Sequence, residues 1–163
     1  MEEVVLAGLK AKNLTLSCAE SCTGGLIAKR MTDLPRVSSV FKGGAVTYWS
    51  EVKAGLLGVP QELLDEYGAV SEEVAIAMAQ GARAVFGTDL AVATTGVAGP
   101  DPDDRGNPVG LVYVALATPD GVYCRKTNLG LTRDRVRTSA AHHAFDLLRR
   151  YLAGLPMELK MVF

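Results

Sequence analysis

Residues 14–31 read LTLSCAESCTGGLIAKRM, and the character of the chain changes twice within this stretch. Leu14–Ala19 is a short, largely apolar run that is typical of a buried strand. Glu20–Gly25 contains small, turn-forming residues, and Leu26–Met31 has the pattern of a helix. The stretch therefore predicts a strand, a sharp turn and a helix in direct succession.

The segments on either side continue this alternation. Apolar spacing and terminal residues predict helices at 2–12, 50–57, 60–67, 72–86 and about 133–152. We expect Ser71 to cap the fourth of these and Thr132 to cap the last. Strands are predicted at 41–48 and 89–95, with a hairpin formed by 109–118 and 122–129. This order predicts an α/β fold, a three-layer α/β/α sandwich with a mixed β-sheet.

Length and composition favour one domain. The chain has 163 residues, of which 48% are apolar, so we expect a single domain with a core at about 2–152 and a tail at 153–163. The formal net charge of -1 predicts no general attraction to nucleic acid or to an anionic membrane. Two acids precede the first apolar residues, which is the wrong order for a secretory signal, so we expect a cytoplasmic protein.

The sequence offers little for a metal ion. Cys18 and Cys22 have a C-x3-C spacing without the second pair of ligands that a zinc site needs. His142 and His143 are adjacent on a predicted helix, so their side chains diverge. The loop residues 101–104, D-P-D-D, lack the alternating ligand spacing of a calcium loop. We therefore expect neither a metal nor another cofactor.

Ser21 is the first candidate for chemistry. It lies between a strand and a helix that opens with Thr23-Gly24-Gly25, where free backbone N–H groups could hold a phosphate or a developing oxyanion. The residues alone leave an alternative open, in which Ser21 or Thr23 only caps the helix and the glycines only permit a tight turn.

A serine nucleophile needs a base. Both histidines fall on the last helix beside no evident acid, so Ser-His-Asp is hard to support. Lys53, just beyond the strand that ends near Tyr48, could reach a neighbouring turn. Its pKa would have to fall from about 10.4 to about 7–8 by burial or a nearby cation. The alternative is a solvated lysine on a helix surface.

Two further segments could hold a ligand. The turn Thr95–Pro100 would bring backbone amides close to a bound molecule. Arg133, Arg135 and Arg137 cluster at the start of the last helix, where cations oppose the helix dipole. Because cations in that position often have a partner, phosphate is one candidate for it.

Seven motifs in this order resemble the CinA C-terminal domain family from about residue 2 to 152. They are AESCTGG (19–25), FKGGAVTYWSEVK (41–53), GVP (58–60), YGAVSEEVA (67–75), TGVAGPD (95–101), NPVGLVYVA (107–115) and RDRVR (133–137). The resemblance implies an anticodon-binding-domain-like fold, often found as a homo-oligomer. Many relatives also carry an amino-terminal pyrophosphatase-like domain that this sequence does not contain, so the upstream step is expected to need another protein.

The resemblance also implies an activity. Members of the family are known as nicotinamide mononucleotide amidohydrolases of pyridine nucleotide recycling. The family's serine, lysine and tyrosine match Ser21, Lys53 and Tyr48, and the arginine of its usual G-D-R turn matches Arg133. That turn reads L-T-R here, and the usual N-E-A-K reads S-E-V-K, so the phosphate pocket is where we expect this chain to differ.

The resulting hypothesis is a Ser-Lys amidohydrolase. Lys53 would take the proton of Ser21 as its oxygen attacks the carboxamide, with Tyr48 positioning Lys53 or relaying a proton. The residues expected to bind the substrate are Cys22, Thr23, Gly24, Gly25, Thr95, Gly96, Ala98, Gly99, Arg133 and Arg137. The rival hypotheses are a non-catalytic nucleotide-sensing or partner-binding module, and an enzyme that acts on another amide.

Overall fold

The computed structural model describes residues 1–130 and 132–157. Its helices are α1 (Glu2–Lys12), α2 (Leu26–Thr32), α3 (Ser50–Leu57), α4 (Gln61–Tyr67), α5 (Glu72–Phe86) and α6 (Arg133–Ala153). Its strands are β1 (Leu16–Glu20), β2 (Phe41–Val46), β3 (Leu90–Gly96), β4 (Leu111–Thr118) and β5 (Gly121–Asn128). A short 3-10 turn, Val37–Ser39, precedes β2.

The five strands form one mixed sheet in the order β2-β1-β3-β4-β5. β1 is parallel to both of its neighbours, whereas β4 runs antiparallel to β3 and to β5. α1, α2 and α6 share one apolar core with the sheet, and α3, α4 and α5 share the other. The predicted three-layer α/β/α sandwich with a mixed sheet is confirmed.

Side-chain size differs between the two faces of the sheet. The face toward α5 carries buried alanines, at positions 19, 91, 93, 115 and 117. The opposite face carries larger residues, including Leu16, Val92 and Val114. Because small side chains allow close approach, α5 packs directly on the central strands, and β1 and β3 are buried on both faces as expected of central parallel strands.

Most predicted helix and strand ends agree with the structure, and the exceptions have specific side-chain causes. β1 begins at Leu16 rather than Leu14 because Thr15 donates both its N–H and its hydroxyl to Asp89 Oδ2, at 2.8 and 2.7 Å. Ser71 caps α5 as predicted, with Oγ accepting the Val74 N–H at 3.3 Å. Thr132 is the N-cap residue of α6 as predicted, but its hydroxyl makes no cap hydrogen bond.

The described part of the tail folds back on α6. The Arg150 guanidinium donates to the Pro156 carbonyl at 2.8 Å, and Met157 packs against the core beneath α6. Residues 158–163 of the predicted tail lie outside the described residues. Among the helices described, none combines the length and the apolar composition that crossing a bilayer requires.

The topology brings three strand ends together. β1, β2 and β3 are parallel neighbours, so their carboxyl ends meet at one edge of the sheet. The residues that follow them are Ser21, Thr47 and Val97. Ligands of such sheets bind at this edge, which is therefore the first place to examine.

Candidate active site

Ser21 is held at the end of β1 with its side chain facing α3. Its N–H donates to the Thr94 carbonyl of β3 at 3.0 Å, which continues the strand ladder by one residue. Its Oγ lies 3.1 Å from Lys53 Nζ. Only 8% of the residue is exposed, so the hydroxyl is shielded from bulk water. The structure thus brings together the serine and the lysine that the sequence analysis selected.

Lys53 is fully buried, although its side chain ends in an amine that is normally charged and solvated. Nζ donates to the carbonyls of Thr47 at 2.7 Å and Tyr48 at 3.1 Å. No carboxylate pairs with it in the described part of the chain. Burial lowers the pKa of Lys53 from 10.5 to about 8, because the ammonium form loses its hydration without gaining a counter-ion.

The hydrogen bonds of Lys53 fix the direction of its lone pair. A neutral amine has two N–H groups and one lone pair, and two carbonyls already accept from Nζ. The remaining direction faces Ser21 Oγ, so the neutral lysine can accept the serine proton. This arrangement can activate an alcohol without a histidine.

Local structure places Lys53 one turn into α3. β2 ends at Val46, and the Lys53 N–H donates to the carbonyl of Trp49, the N-cap residue of α3. The side chain then folds back over the same connection and meets the carbonyls of Thr47 and Tyr48. A tight strand-to-helix connection therefore supplies both the lysine and its hydrogen-bond acceptors.

Two of the backbone N–H groups after Ser21 that were expected to be free for a ligand are bonded within the protein. Gly24 N–H donates to the Ser21 carbonyl, and Gly25 N–H donates to the carboxylate of Glu20. Within the described residues, the N–H groups of Cys22 and Thr23 donate to no backbone carbonyl. Gly24 and Gly25 have positive φ values of 59° and 96°, which accounts for the two glycines. The available donors are therefore Cys22 and Thr23.

The side chains of Cys22 and Thr23 point into the protein. Burial raises the pKa of the Cys22 thiol to about 12, so it stays protonated and is a poor nucleophile at neutral pH. The Thr23 hydroxyl lies 2.8 Å from the Thr94 hydroxyl, and both residues are buried. These contacts fix the loop and leave Ser21 as its chemically competent group.

Tyr48 contacts Lys53 through its backbone carbonyl, and its hydroxyl lies against Arg133 instead. Its carbonyl accepts from Lys53, whereas its exposed hydroxyl accepts from Arg133 at 3.2 Å. Arg133 also donates to the Gly99 carbonyl at 2.6 Å, and Arg137 donates to the Thr23 carbonyl at 2.9 Å. The two arginines therefore join the start of α6 to the three strand-end loops.

The glycine-rich loop after β3 is shaped largely by packing. The Thr95 hydroxyl donates to the Ala69 carbonyl at 2.6 Å, on the α5 side of the sheet. A Cβ on Gly96 would lie 2.7 Å from the Leu111 carbonyl oxygen, so this glycine permits close approach of β4. Ala98 is buried in the core, and Gly99 has a φ of 92° and offers its carbonyl to Arg133. Gly99 is the member of this group that lies beside the candidate site.

Arg105 fastens the remainder of that loop to α4. Its guanidinium donates to the carbonyls of Glu66 at 2.9 Å and Asp65 at 2.5 Å, at the carboxyl end of the helix. A Cβ on Gly68 would lie 2.6 Å from Arg105 Cδ. The Arg105 side chain therefore packs against Gly68 at a position where any larger residue would clash with it.

We expect Arg105→Ala to loosen the loop. The lost hydrogen bonds are worth about 1–2 kcal/mol, because they are charge-assisted but exposed, which corresponds to a fall in Tm of roughly 2–8 °C. Hydrogen exchange of residues 97–110 should accelerate while β1 and β3 stay protected. Arg36→Ala is the control, since this exposed arginine makes no side-chain hydrogen bond in the described chain. Equal exchange in the two variants would contradict this role for Arg105.

Three residues at the site were missed by the sequence analysis. Glu20 is fully buried and binds the start of α2, Thr94 holds Thr23, and Thr47 supplies a carbonyl to Lys53. An acid at the end of a buried strand, directly before a helix start, was the available signal for Glu20. A backbone carbonyl has no signal in the sequence, so the role of Thr47 could not have been found.

Comparison with known proteins places the chain in a family. The model of the CinA C-terminal domain matches residues 1–152. A CinA-like protein of Frankia casuarinae is 51% identical over 156 residues, which are 96% of this chain and 36% of that protein. The chain spans 35–38% of the length of the curated relatives that it matches.

Solved structures agree with this match. The competence-damaged protein (CinA) superfamily protein of Klebsiella pneumoniae 700603 has a TM-score of 0.91 at 30% identity, covering 94% of this chain and 96% of its own. The competence/damage inducible protein of Agrobacterium tumefaciens has a TM-score of 0.87 at 37% identity, covering 93% and 94%. With its sequence matched almost from end to end and its fold shared by these structures, the chain belongs to the CinA C-terminal domain family.

Proposed function

We propose that this protein is an amidohydrolase that converts nicotinamide mononucleotide to nicotinate mononucleotide and ammonia. The observation that carries the proposal is the 3.1 Å contact between Ser21 Oγ and a buried Lys53 Nζ that has no acidic partner in the described chain. A buried lysine without a counter-ion is costly to fold, and its function as a base explains the cost.

The first half of the reaction forms an ester. The Lys53 lone pair takes the proton of the Ser21 hydroxyl while the serine oxygen attacks the carboxamide carbon. The N–H groups of Cys22 and Thr23 stabilise the resulting oxyanion, each contributing about 3–4 kcal/mol in comparable sites. The Lys53 ammonium then protonates the leaving nitrogen, the carbon–nitrogen bond breaks, and ammonia departs.

The second half of the reaction hydrolyses that ester. Lys53, again neutral, takes a proton from water as the water oxygen attacks the acyl carbon. The bond between the acyl carbon and Ser21 Oγ breaks, and Lys53 returns the proton to Ser21. Nicotinate mononucleotide leaves, and the enzyme is restored without a metal or another cofactor.

Arg133 and Arg137 are the groups that we propose for the phosphate. Both lie in the first turns of α6, and their hydrogen bonds to Gly99 and Thr23 direct them to the loops beside Ser21. A guanidinium has five N–H donors, so each arginine keeps donors for a phosphate after these contacts. The backbone at Gly99, the residue of that loop beside the site, would line the ribose.

The assembly and the location of the protein are also proposals. Exposed apolar side chains along α3, those of Trp49, Val52 and Leu56, support association into a homo-oligomer. The cytoplasm, where the proposed substrate would be met, is the expected compartment, with neither nucleic acid nor membrane as a partner.

The test compares three amides. Purified protein is incubated separately with nicotinamide mononucleotide, nicotinamide riboside and nicotinamide, and ammonia is measured. We expect release from the mononucleotide alone, because only this compound offers a phosphate to the arginines. Release from the other two at the same rate would contradict the phosphate site. Tight binding of the mononucleotide without ammonia would favour the non-catalytic nucleotide-sensing module.

The pH dependence of the reaction should follow Lys53. The base is active only when neutral, and its pKa is lowered to about 8 by burial. We therefore expect kcat/KM to rise about tenfold per pH unit between pH 6 and 7.5 and to level off above pH 8. A profile that is flat across pH 6–9 would show that Lys53 does not act as the base.

A further inference from the structure

Glu20 is a buried carboxylate with an unusual set of partners. It is the last residue of β1, directly precedes Ser21, and is fully buried. Oε2 accepts the N–H groups of Gly25 and Ile27, both at 3.0 Å, and Oε1 accepts that of Ala28 at 2.8 Å. The Cys18 thiol donates to Oε1 at 3.6 Å. No cation contacts this carboxylate within the described residues.

These contacts attach α2 to β1. An unpaired carboxylate in the core would cost several kcal/mol, whereas here three backbone N–H groups and the positive end of a helix stabilise it. The same three N–H groups would otherwise have no partner, because they precede the first intrahelical hydrogen bond, from Lys29 to Gly25. The protein's own carboxylate thus occupies the position that an external anion would take.

The attachment determines which donors remain for a substrate. Ser21 is tied to Thr94 at one end of the turn, and Gly25 is tied to Glu20 at the other. Between them, Gly24 bonds back to Ser21, so Cys22 and Thr23 are the N–H groups left over. Without the charge of Glu20, the N–H groups of Gly25, Ile27 and Ala28 would lose their acceptor. The turn that carries Ser21 would then shift relative to Lys53.

We propose that Glu20 is a positioning residue, whose negative charge fixes the Ser21 turn so that the hydroxyl meets Lys53 and the Cys22 and Thr23 N–H groups meet the oxyanion. This inference rests on the proposed function for its kinetic consequence. Its structural consequence, an ordered turn, does not depend on the substrate, and the two can be measured separately.

The test is the variant Glu20→Gln, which keeps the shape but removes the charge. Its side-chain NH2 group would face a backbone N–H, so at least one of the three hydrogen bonds is lost. We expect kcat to fall about 100-fold, as after loss of an oxyanion donor, while KM changes less than threefold. The midpoint of the pH profile should stay at that of the wild type, because Lys53 remains buried and keeps the carbonyls of Thr47 and Tyr48 as its acceptors. Hydrogen exchange of residues 21–28 should accelerate at least tenfold.

Two further variants separate charge from general damage. Glu20→Asp keeps the carboxylate with a shorter reach, and we expect it to lose less kcat than Glu20→Gln. Asp89→Asn is the matched control, since Asp89 also accepts a backbone N–H but lies at the opposite end of the sheet. It should lower Tm without changing kcat or the exchange of residues 21–28.

Several results would overturn the inference. They are a kcat within threefold of wild type in Glu20→Gln, unchanged exchange of residues 21–28, and a loss in Glu20→Asp as large as that in Glu20→Gln. If the wild-type protein released no ammonia, the proposed function would fail, yet the exchange experiment would still decide whether Glu20 orders the turn.

Discussion

Lys53→Met should lower kcat for ammonia release at least 10⁴-fold while the protein remains folded. Methionine keeps most of the apolar volume of the buried side chain but cannot accept the Ser21 proton. Ser21→Ala should cause a similar loss, and the double variant should lose no more than either single variant. Such non-additivity is expected of a nucleophile and a base that work as one unit. Single-turnover kinetics with nicotinamide mononucleotide would measure all three.

A nearby lysine provides the control for this experiment. Lys42 is exposed on β2, where Nζ donates to the Gly87 carbonyl, so Lys42→Met changes the same charge away from Ser21. We expect its kcat to equal that of the wild type. Lys53→Met should also be at least as stable as the wild type near neutral pH, since burial of an unpaired amine is relieved. Activity within tenfold of wild type in Lys53→Met would refute the Ser-Lys mechanism.

The layers of the fold could be predicted because apolar patterning reports burial. The central strands β1 and β3 are buried on both faces, which makes their sequences nearly continuous apolar or small runs. α5 has a cap, an apolar face and a terminal glycine in the expected places. Strand ends were less predictable, because contacts distant in sequence, such as that between Thr15 and Asp89, decide where a ladder begins.

The candidate site could be predicted in part. The spacing of Ser21 and Lys53 carries no information about their distance, which depends on β1 and β2 being parallel neighbours. The residues alone made both of them candidates with alternatives left open, and the family resemblance favoured the pair. Lys53 contacts the carbonyl of Tyr48 and not its hydroxyl, and Glu20 accepts the first N–H groups of α2. Both contacts depend on tertiary geometry that no local sequence pattern encodes.

Gly81→Ala should damage both stability and activity. Gly81 lies inside α5, where alanine would normally stabilise a helix by about 1 kcal/mol. Here an added Cβ would lie 2.0 Å from the carbonyl oxygen of Leu57, the last residue of α3. The two helices must separate to accept it, at a cost of about 3 kcal/mol and a Tm lower by roughly 6–12 °C. Because α3 carries Lys53, we also expect kcat to fall at a temperature where the variant is fully folded.

Gly55→Ala is the matched control for this prediction. Gly55 lies in α3 itself, and an added Cβ there would meet no atom within 4 Å. This variant should therefore gain about 0.5–1 kcal/mol from helix propensity and keep full activity. Thermal unfolding and ammonia release, measured for both variants, show whether helix packing or helix propensity determines the effect of each added methyl group. A Gly81→Ala protein as stable and as active as Gly55→Ala would contradict this prediction. It would mean that the packing of α5 against α3 does not determine the position of Lys53 relative to Ser21.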